Sequence, residues 1–178
     1  GATRAHTRAG RRGLQEAGNG GTCPANVTAG VTLIGDDLFR GARTKISGRA
    51  PFFVDDYEFD TAVVLQAGST LAGFTVTAAP GENTIGVHPV GTGVTVRRNT
   101  VAGFADGVYV TGPTTPAVLD NVLMGNFNGL GYTSYSVAGG RVESNNITAN
   151  TYGVEYDVGG GDLGGGGESA GLNVISCN

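Results

Sequence analysis

A chain of 178 residues with 33 glycines, no tryptophan and 15% charged residues fits one domain of short strands and tight turns. Glycine this abundant without proline enrichment or a three-residue period excludes collagen, and a hydrophobic share of 39% excludes wholesale disorder. A net charge of −4 argues against a nucleic-acid partner, and no window offers the roughly 18 apolar residues of a membrane span.

Residues 1–21 carry Arg4, Arg8, Arg11 and Arg12 in their first dozen positions and read as a basic leader, flexible or capping. A single domain is expected over 22–178. Cys23 opens it and Cys177 lies near its other end, a pair that matches no metal or redox spacing. Val31 to Ile34 forms the first apolar strand. GDDLFRGARTKISG follows as a loop that ends in a short strand around Ile46. PFFVDDYEFD reads as a second excursion, before the buried strand AVVLQ at 62–66.

That excursion crowds Asp55, Asp56, Glu58 and Asp60 into six positions, the oxygen donors a hard cation such as Ca²⁺ takes. The spacing is not that of an EF-hand, and Phe52, Phe53, Tyr57 and Phe59 interleave with the acids. The expectation is therefore a loop that lays aromatics on the fold and acids in water, with no resident metal or other cofactor.

From residue 69 the chain repeats. Strand pairs recur as STLAGFTV with IGVHPV, GVTVRRNTV with DGVYVTG, AVLDNVLM with NGLGYTS, and RVESNNIT with YGVEYDV. NTVAGFADGVYV, NVLMGNFNGLGY and NNITANTYGVEY begin at Asn99, Asn121 and Asn145, starts that differ by 22 and then 24 residues. Each Asn precedes a Gly by eight residues, at 107, 129 and 153. Glycine and β-branched residues in the repeat exclude a helical solenoid, and the period is about half that of a propeller blade. A coil of this length with two or three short strands is the period of a parallel β-helix.

The register agrees. Val96, Val118 and Val142 align, as do Val101, Leu123 and Ile147, and Val108, Leu130 and Val154, while outward rows vary: Arg97, Leu119 and Glu143, or Tyr109, Gly131 and Glu155. The aligned asparagines suit a turn and can bond along the stack, so Asn99, Asn121 and Asn145 are assigned a structural ladder. The glycines are assigned to the turns. Asp106 and Tyr109 are the residues of this segment expected to face a partner.

GVTLIGDDLFRGARTKISG, AVVLQAGSTLAGFTV and DLGGGGESAGLNVISCN together resemble pectate-lyase-like proteins of a bacterial domain family of unknown function. The resemblance implies an all-β, single-stranded, right-handed parallel β-helix of about five coils and a secreted or cell-surface protein. It also leads one to expect a further strand after Asn178. It implies no reaction. The motifs of pectate lyases around a Trp and around an Arg-Pro-Arg stretch are missing. Of the polygalacturonase motifs only bare Asp-Asp pairs occur, at Asp36–Asp37 and Asp55–Asp56.

Among the other candidates for chemistry, Glu155 and Asp157 stand two apart on a strand and share a face about 7 Å apart, compatible with two-carboxylate glycoside hydrolysis. Tyr109, in the same outward row as Glu155, is placed to stack on a sugar. His6 and His88 are isolated, and the glycine run from Gly159 lacks the Lys-Ser/Thr ending of a phosphate loop. Cys23 and Cys177 stand too many coils apart for an intrachain disulfide but could meet between subunits stacked head to tail. The sequence thus points to a secreted or surface β-solenoid with a structural, adhesive or glycan-binding role, whose partners are a polysaccharide or further copies of itself. A polysaccharide lyase or glycoside hydrolase is the alternative.

Overall fold

The computed structural model describes residues 25–35, 44–54, 57–78, 82–132, 139–157, 160–164 and 169–178. The basic leader, Cys23, Asp36, Asp37, Asp55 and Asp56 lie outside the described residues. What is described is a parallel β-solenoid with three sheets. The long sheet stacks β1 (Ala25–Val27), β5 (Tyr57–Leu65), β8 (Thr84–Pro89), β11 (Asp106–Val110), β14 (Asn128–Tyr132) and β17 (Tyr152–Tyr156), with β4 (Ala50–Val54) antiparallel to β5. The middle sheet stacks β3 (Thr44–Ile46), β7 (Phe74–Thr77), β10 (Thr100–Ala102), β13 (Val122–Met124), β16 (Asn146–Thr148) and β18 (Val174–Ser176). The short sheet stacks β2 (Thr32–Ile34), β6 (Thr70–Ala72), β9 (Thr95–Arg97), β12 (Ala117–Leu119) and β15 (Arg141–Glu143). Each coil runs from the short sheet through the middle sheet to the long one.

Five short-sheet strands make about four turns between first and last, slightly fewer than the five coils expected. The early excursion accounts for the difference. The described part of PFFVDDYEFD is strand: Ala50–Val54 pairs antiparallel with β5 residues Tyr57 to Thr61. The alternation of aromatic and acidic residues there is a strand pattern, and it makes a flap instead of part of a coil.

The core is a set of stacked apolar columns. Val101 pairs with Leu123 and Leu123 with Ile147, Val96 with Val118 and Val118 with Val142, and all six are fully buried. In the long sheet Val108 and Leu130 stack likewise, and Val154 follows them at the margin of the core. Neighbouring coils lie about 4.8 Å apart, so every column is a continuous apolar wire.

Two corners per coil hold this stack. At the first, Gly73, Arg98, Asp120, Ser144 and Leu172 adopt positive φ, and each is followed by Phe74, Asn99, Asn121, Asn145 or Asn173. At the second, Gly103, Gly125, Ala149 and Cys177 do so ahead of Phe104, Asn126, Asn150 and Asn178. The left-handed residue is the one before the Asn, not the Asn itself. A non-glycine residue there costs about 1–2 kcal/mol. Turning the chain at this point tucks the next side chain under the corner, where an amide can bridge coils.

Both Asn columns are hydrogen-bonded ladders. Asn121 donates from its backbone N–H and its Nδ2 to Oδ1 of Asn145 (2.9 and 3.0 Å), and from Nδ2 to the Val96 carbonyl (2.8 Å). Asn99 bonds Asn121 in the same way, and Asn145 bonds Asn173. The second ladder runs Asn126, Asn150, Asn178 with identical roles. Each begins at a phenylalanine, with Phe74 N–H donating to Asn99 and Phe104 N–H to Asn126.

The repeated glycines answer to this ladder and not to a turn. A Cβ on Gly107 would stand 2.6 Å from the Gly129 carbonyl and 2.9 Å from Asn126 Nδ2; Gly129 faces the Gly153 carbonyl and Asn150 Nδ2 at the same distances, and Gly153 faces Asn178 Nδ2 at 2.8 Å. They point inward, and only hydrogen fits.

Candidate functional site

The outer face of the long sheet gathers the chemistry. Its rows are set by register: Asp106 pairs with Asn128 and Asn128 with Tyr152, while Tyr109 pairs with Gly131 and Gly131 with Glu155. Gly131 leaves a gap that the Asp106 carboxyl occupies, since a Cβ at Gly131 would lie 2.8 Å from Asp106 Oδ1. Asn128 then links two acids. Its Nδ2 donates to Asp106 Oδ1 at 3.0 Å and to Glu155 Oε2 at 2.6 Å. Asn128 is only 7% exposed, yet its Oδ1 has no hydrogen-bond partner among the described residues.

Asp106 is 9% exposed. Burial disfavours its charged form and pushes the carboxyl up to about 6; the Asn128 bond pulls it back and the Glu155 charge adds to the rise. Two aromatic rings belong to neighbours of Asn128. Phe127, beside Asn128 in the chain, and Tyr152, its ladder neighbour, meet edge to face with centroids 5.3 Å apart, and both are about half exposed. A groove of about 670 Å³ opens next to them along the corner, lined by Glu82, Asn83, Asn126, Phe127 and Thr151 among others.

The other end of this face is aromatic and closed. His88 is 1% exposed, donates or accepts at Nε2 with Thr111 Oγ1 (2.9 Å), and has no partner at Nδ1 among the described residues. Burial lowers it to about 4. Phe52 of the flap packs edge-on against it at 5.5 Å, and Tyr109 sits between Phe59 and His88 at 5.5 and 5.8 Å. Tyr109 is thus half-buried in a ring cluster and not an open stacking platform.

The candidates read from the sequence are distributed unevenly over this geometry. Glu155 is brought to Asn128 and Asp106, whereas Asp157, exposed just past the end of β17, engages only its backbone N–H among the described residues, with the Tyr132 carbonyl. Asn99, Asn121 and Asn145 lie in the first ladder, away from this face. Glu58 is exposed on the flap side of β5, and Asp60 faces Arg49 at 3.8 Å. No group of three or more His, Cys, Asp or Glu able to hold a metal occurs among the described residues. Cys177 is an exposed free thiol at the second corner.

Asn128, Phe127 and Tyr152 escape a reading by repeat, because they differ from coil to coil. A signal did exist: Asp106 and Asn128 are polar residues opening strands at equivalent positions, 22 residues apart.

No helix among the described residues is long and apolar enough to cross a membrane. No curated protein and no solved structure matches the chain. A family model described as a protein of unknown function (DUF1565) matches residues 11–178, nearly the whole chain including every coil, and the protein belongs to that family.

Proposed function

We propose that the protein is a glycan-binding β-solenoid, of the pectate-lyase-like type and acting outside the cell or at its surface, which holds a saccharide chain along the outer face of the long sheet. The observation that carries this reading is the exposed Phe127–Tyr152 pair beside the Asp106–Asn128–Glu155 group. A sugar ring offers an apolar C–H face to an aromatic ring and hydroxyls to carboxylate and amide groups, and here both lie within one strand register. The adjoining groove supplies length for more than one sugar unit. The resemblance seen in the sequence supports the extracellular setting.

A glycan array with the full chain tests this. Binding of a saccharide that Phe127→Ala and Tyr152→Ala each weaken tenfold or more, with unchanged melting temperature, is the expected outcome. Binding that both variants leave intact would place the ligand elsewhere.

A second reading, cleavage of a glycosidic bond, is favoured by one distance relation. Asp106 and Glu155 each contact the same nitrogen, at 3.0 and 2.6 Å, so the two acids lie within about 6 Å of one another, near the separation of a retaining pair. The raised Asp106 would be the acid and Glu155 the nucleophile. Release of reducing ends from a bound polysaccharide, abolished by Glu155→Gln, would establish it.

A further inference from the structure

The acids of the outer face converge on a nitrogen. Asp106 Oδ1 and Glu155 Oε2 both accept from Asn128 Nδ2, which leaves Asp106 Oδ2 and Glu155 Oε1 for a ligand. No cation among the described residues is paired with them. The ion pairs among the described residues join Arg49 to Asp60, Arg98 to Asp120 and Arg141 to Glu143. A nine-tenths buried carboxylate beside a second one is costly unless a positive group approaches. The site therefore offers two anionic oxygen acceptors next to an exposed aromatic pair.

We propose that this face takes a glycan bearing free amines, of the glucosamine-polymer class, with an ammonium held between Asp106 and Glu155 and the sugar ring against Phe127 and Tyr152. This rests on the reading that the face holds a glycan, and it names the class. An ammonium has three N–H donors and no acceptor, which matches a site whose open oxygens are both carboxylate acceptors. The charge-assisted bonds are stronger than those a hydroxyl makes. A polyuronate would bring its own carboxylates against Asp106 and Glu155, and an N-acetylated chain would leave them without a counter-charge. The chemistry thus runs opposite to the acidic polysaccharide that a pectate-lyase likeness suggests.

The test is calorimetric titration of the full chain with four probes: glucosamine oligomers, their fully N-acetylated counterparts, polygalacturonate and polylysine. The expected result is at least tenfold tighter binding of the free-amine oligomer than of the acetylated one, and no binding of polygalacturonate. Glu155→Gln and Asp106→Asn should each cost tenfold or more. Glu155 is exposed, so its variant keeps the fold, and a melting curve checks Asp106→Asn. Equal binding of acetylated and free-amine oligomers would overturn the amine assignment while leaving the glycan reading standing. Polylysine binding as tightly as the oligomer, with both variants unaffected, would reduce the effect to attraction by an acidic protein. Binding of no glycan by a folded chain would end both readings.

Discussion

Asn126 and Asn128 stand two residues apart, both are buried, and their amides are used in opposite ways. Asn126 lies under a corner, where its Nδ2 bonds Asn150 and the Val101 carbonyl and its Oδ1 accepts from Phe104 N–H. Every coil above repeats the arrangement. Asn128 points outward, where its column reads Asp106, Asn128, Tyr152 and nothing repeats. It serves one oxygen of each of two carboxylates and leaves their second oxygens over. Where a solenoid repeats a polar residue, the copies satisfy one another; where it does not, hydrogen-bonding capacity is left over, and that surplus is what a ligand can use.

The widest separation should come from removing the two amides. Asn126→Ala strands the Phe104 N–H and the Val101 carbonyl in the interior, at about 1–3 kcal/mol for each orphaned group, so a loss of about 3–5 kcal/mol is expected. Asn128→Ala removes an unpartnered oxygen but leaves the buried Asp106 carboxyl without its donor, so it should cost about 1–2 kcal/mol, while weakening glycan binding. Denaturant melts of both variants measure the gap. Equal losses would mean that the outer face is as much a part of the framework as the corner.

Unfolding against pH gives an effect nearly as large. Asp106 is raised from 3.8 to about 6, so its contribution to stability is complete below pH 3.8 and is lost as the pH rises through about 6. His88 is lowered from 6.5 to about 4, so its contribution is complete above pH 6.5 and is lost as the pH falls through about 4. Between about pH 4 and 6 the two slopes oppose each other, each about 1.4 kcal/mol per pH unit. Asp106→Asn should make stability climb with pH across that window, and His88→Gln should make it fall. Tyr109, Tyr152 and Glu155, the other titratable groups on this face, are common to both variants. Slopes of the same sign in the two would discard the assignment.

A smaller contrast concerns two glycines. Gly129 faces inward, where a Cβ would meet the Gly153 carbonyl and Ile147 Cγ2, each at 2.6 Å. Gly131 faces outward, where a Cβ would meet mainly the Asp106 carboxyl. Gly129→Ala should cost about 2–3 kcal/mol, in the range of overpacked cores. Gly131→Ala should cost under about 1 kcal/mol, because a side chain can move, yet displace Asp106 and lower binding. Melting and titration of the pair read both effects.

Much of the framework was legible in the chain. Val96 with Val118 and Val142, or Val101 with Leu123 and Ile147, sit at fixed intervals, and a period of 22 to 24 residues leaves few architectures. The ladders were legible only in part. Asn173 follows Asn145 by 28 residues, because a glycine-rich stretch lengthens that coil, and Asn126 with Asn150 lies five residues behind the more obvious column. The flap hid for a different reason: an antiparallel pair interrupts the repeat, so Ala50–Val54 has no counterpart in later coils.

What the amino-acid order by itself determined is the stacked, one-dimensional core, since each inward residue meets its own equivalent one coil away. It did not determine the partner of Glu155. Two-residue spacing on one strand pointed to Asp157, whereas the bonded group is Asn128, which carries Asp106 with it. Strand spacing says which face a side chain leaves from, but a long Glu reaches sideways, and the gap at Gly131 admits Asp106 from the next row. That meeting depends on three neighbouring coils at once, and only the folded stack brings them together.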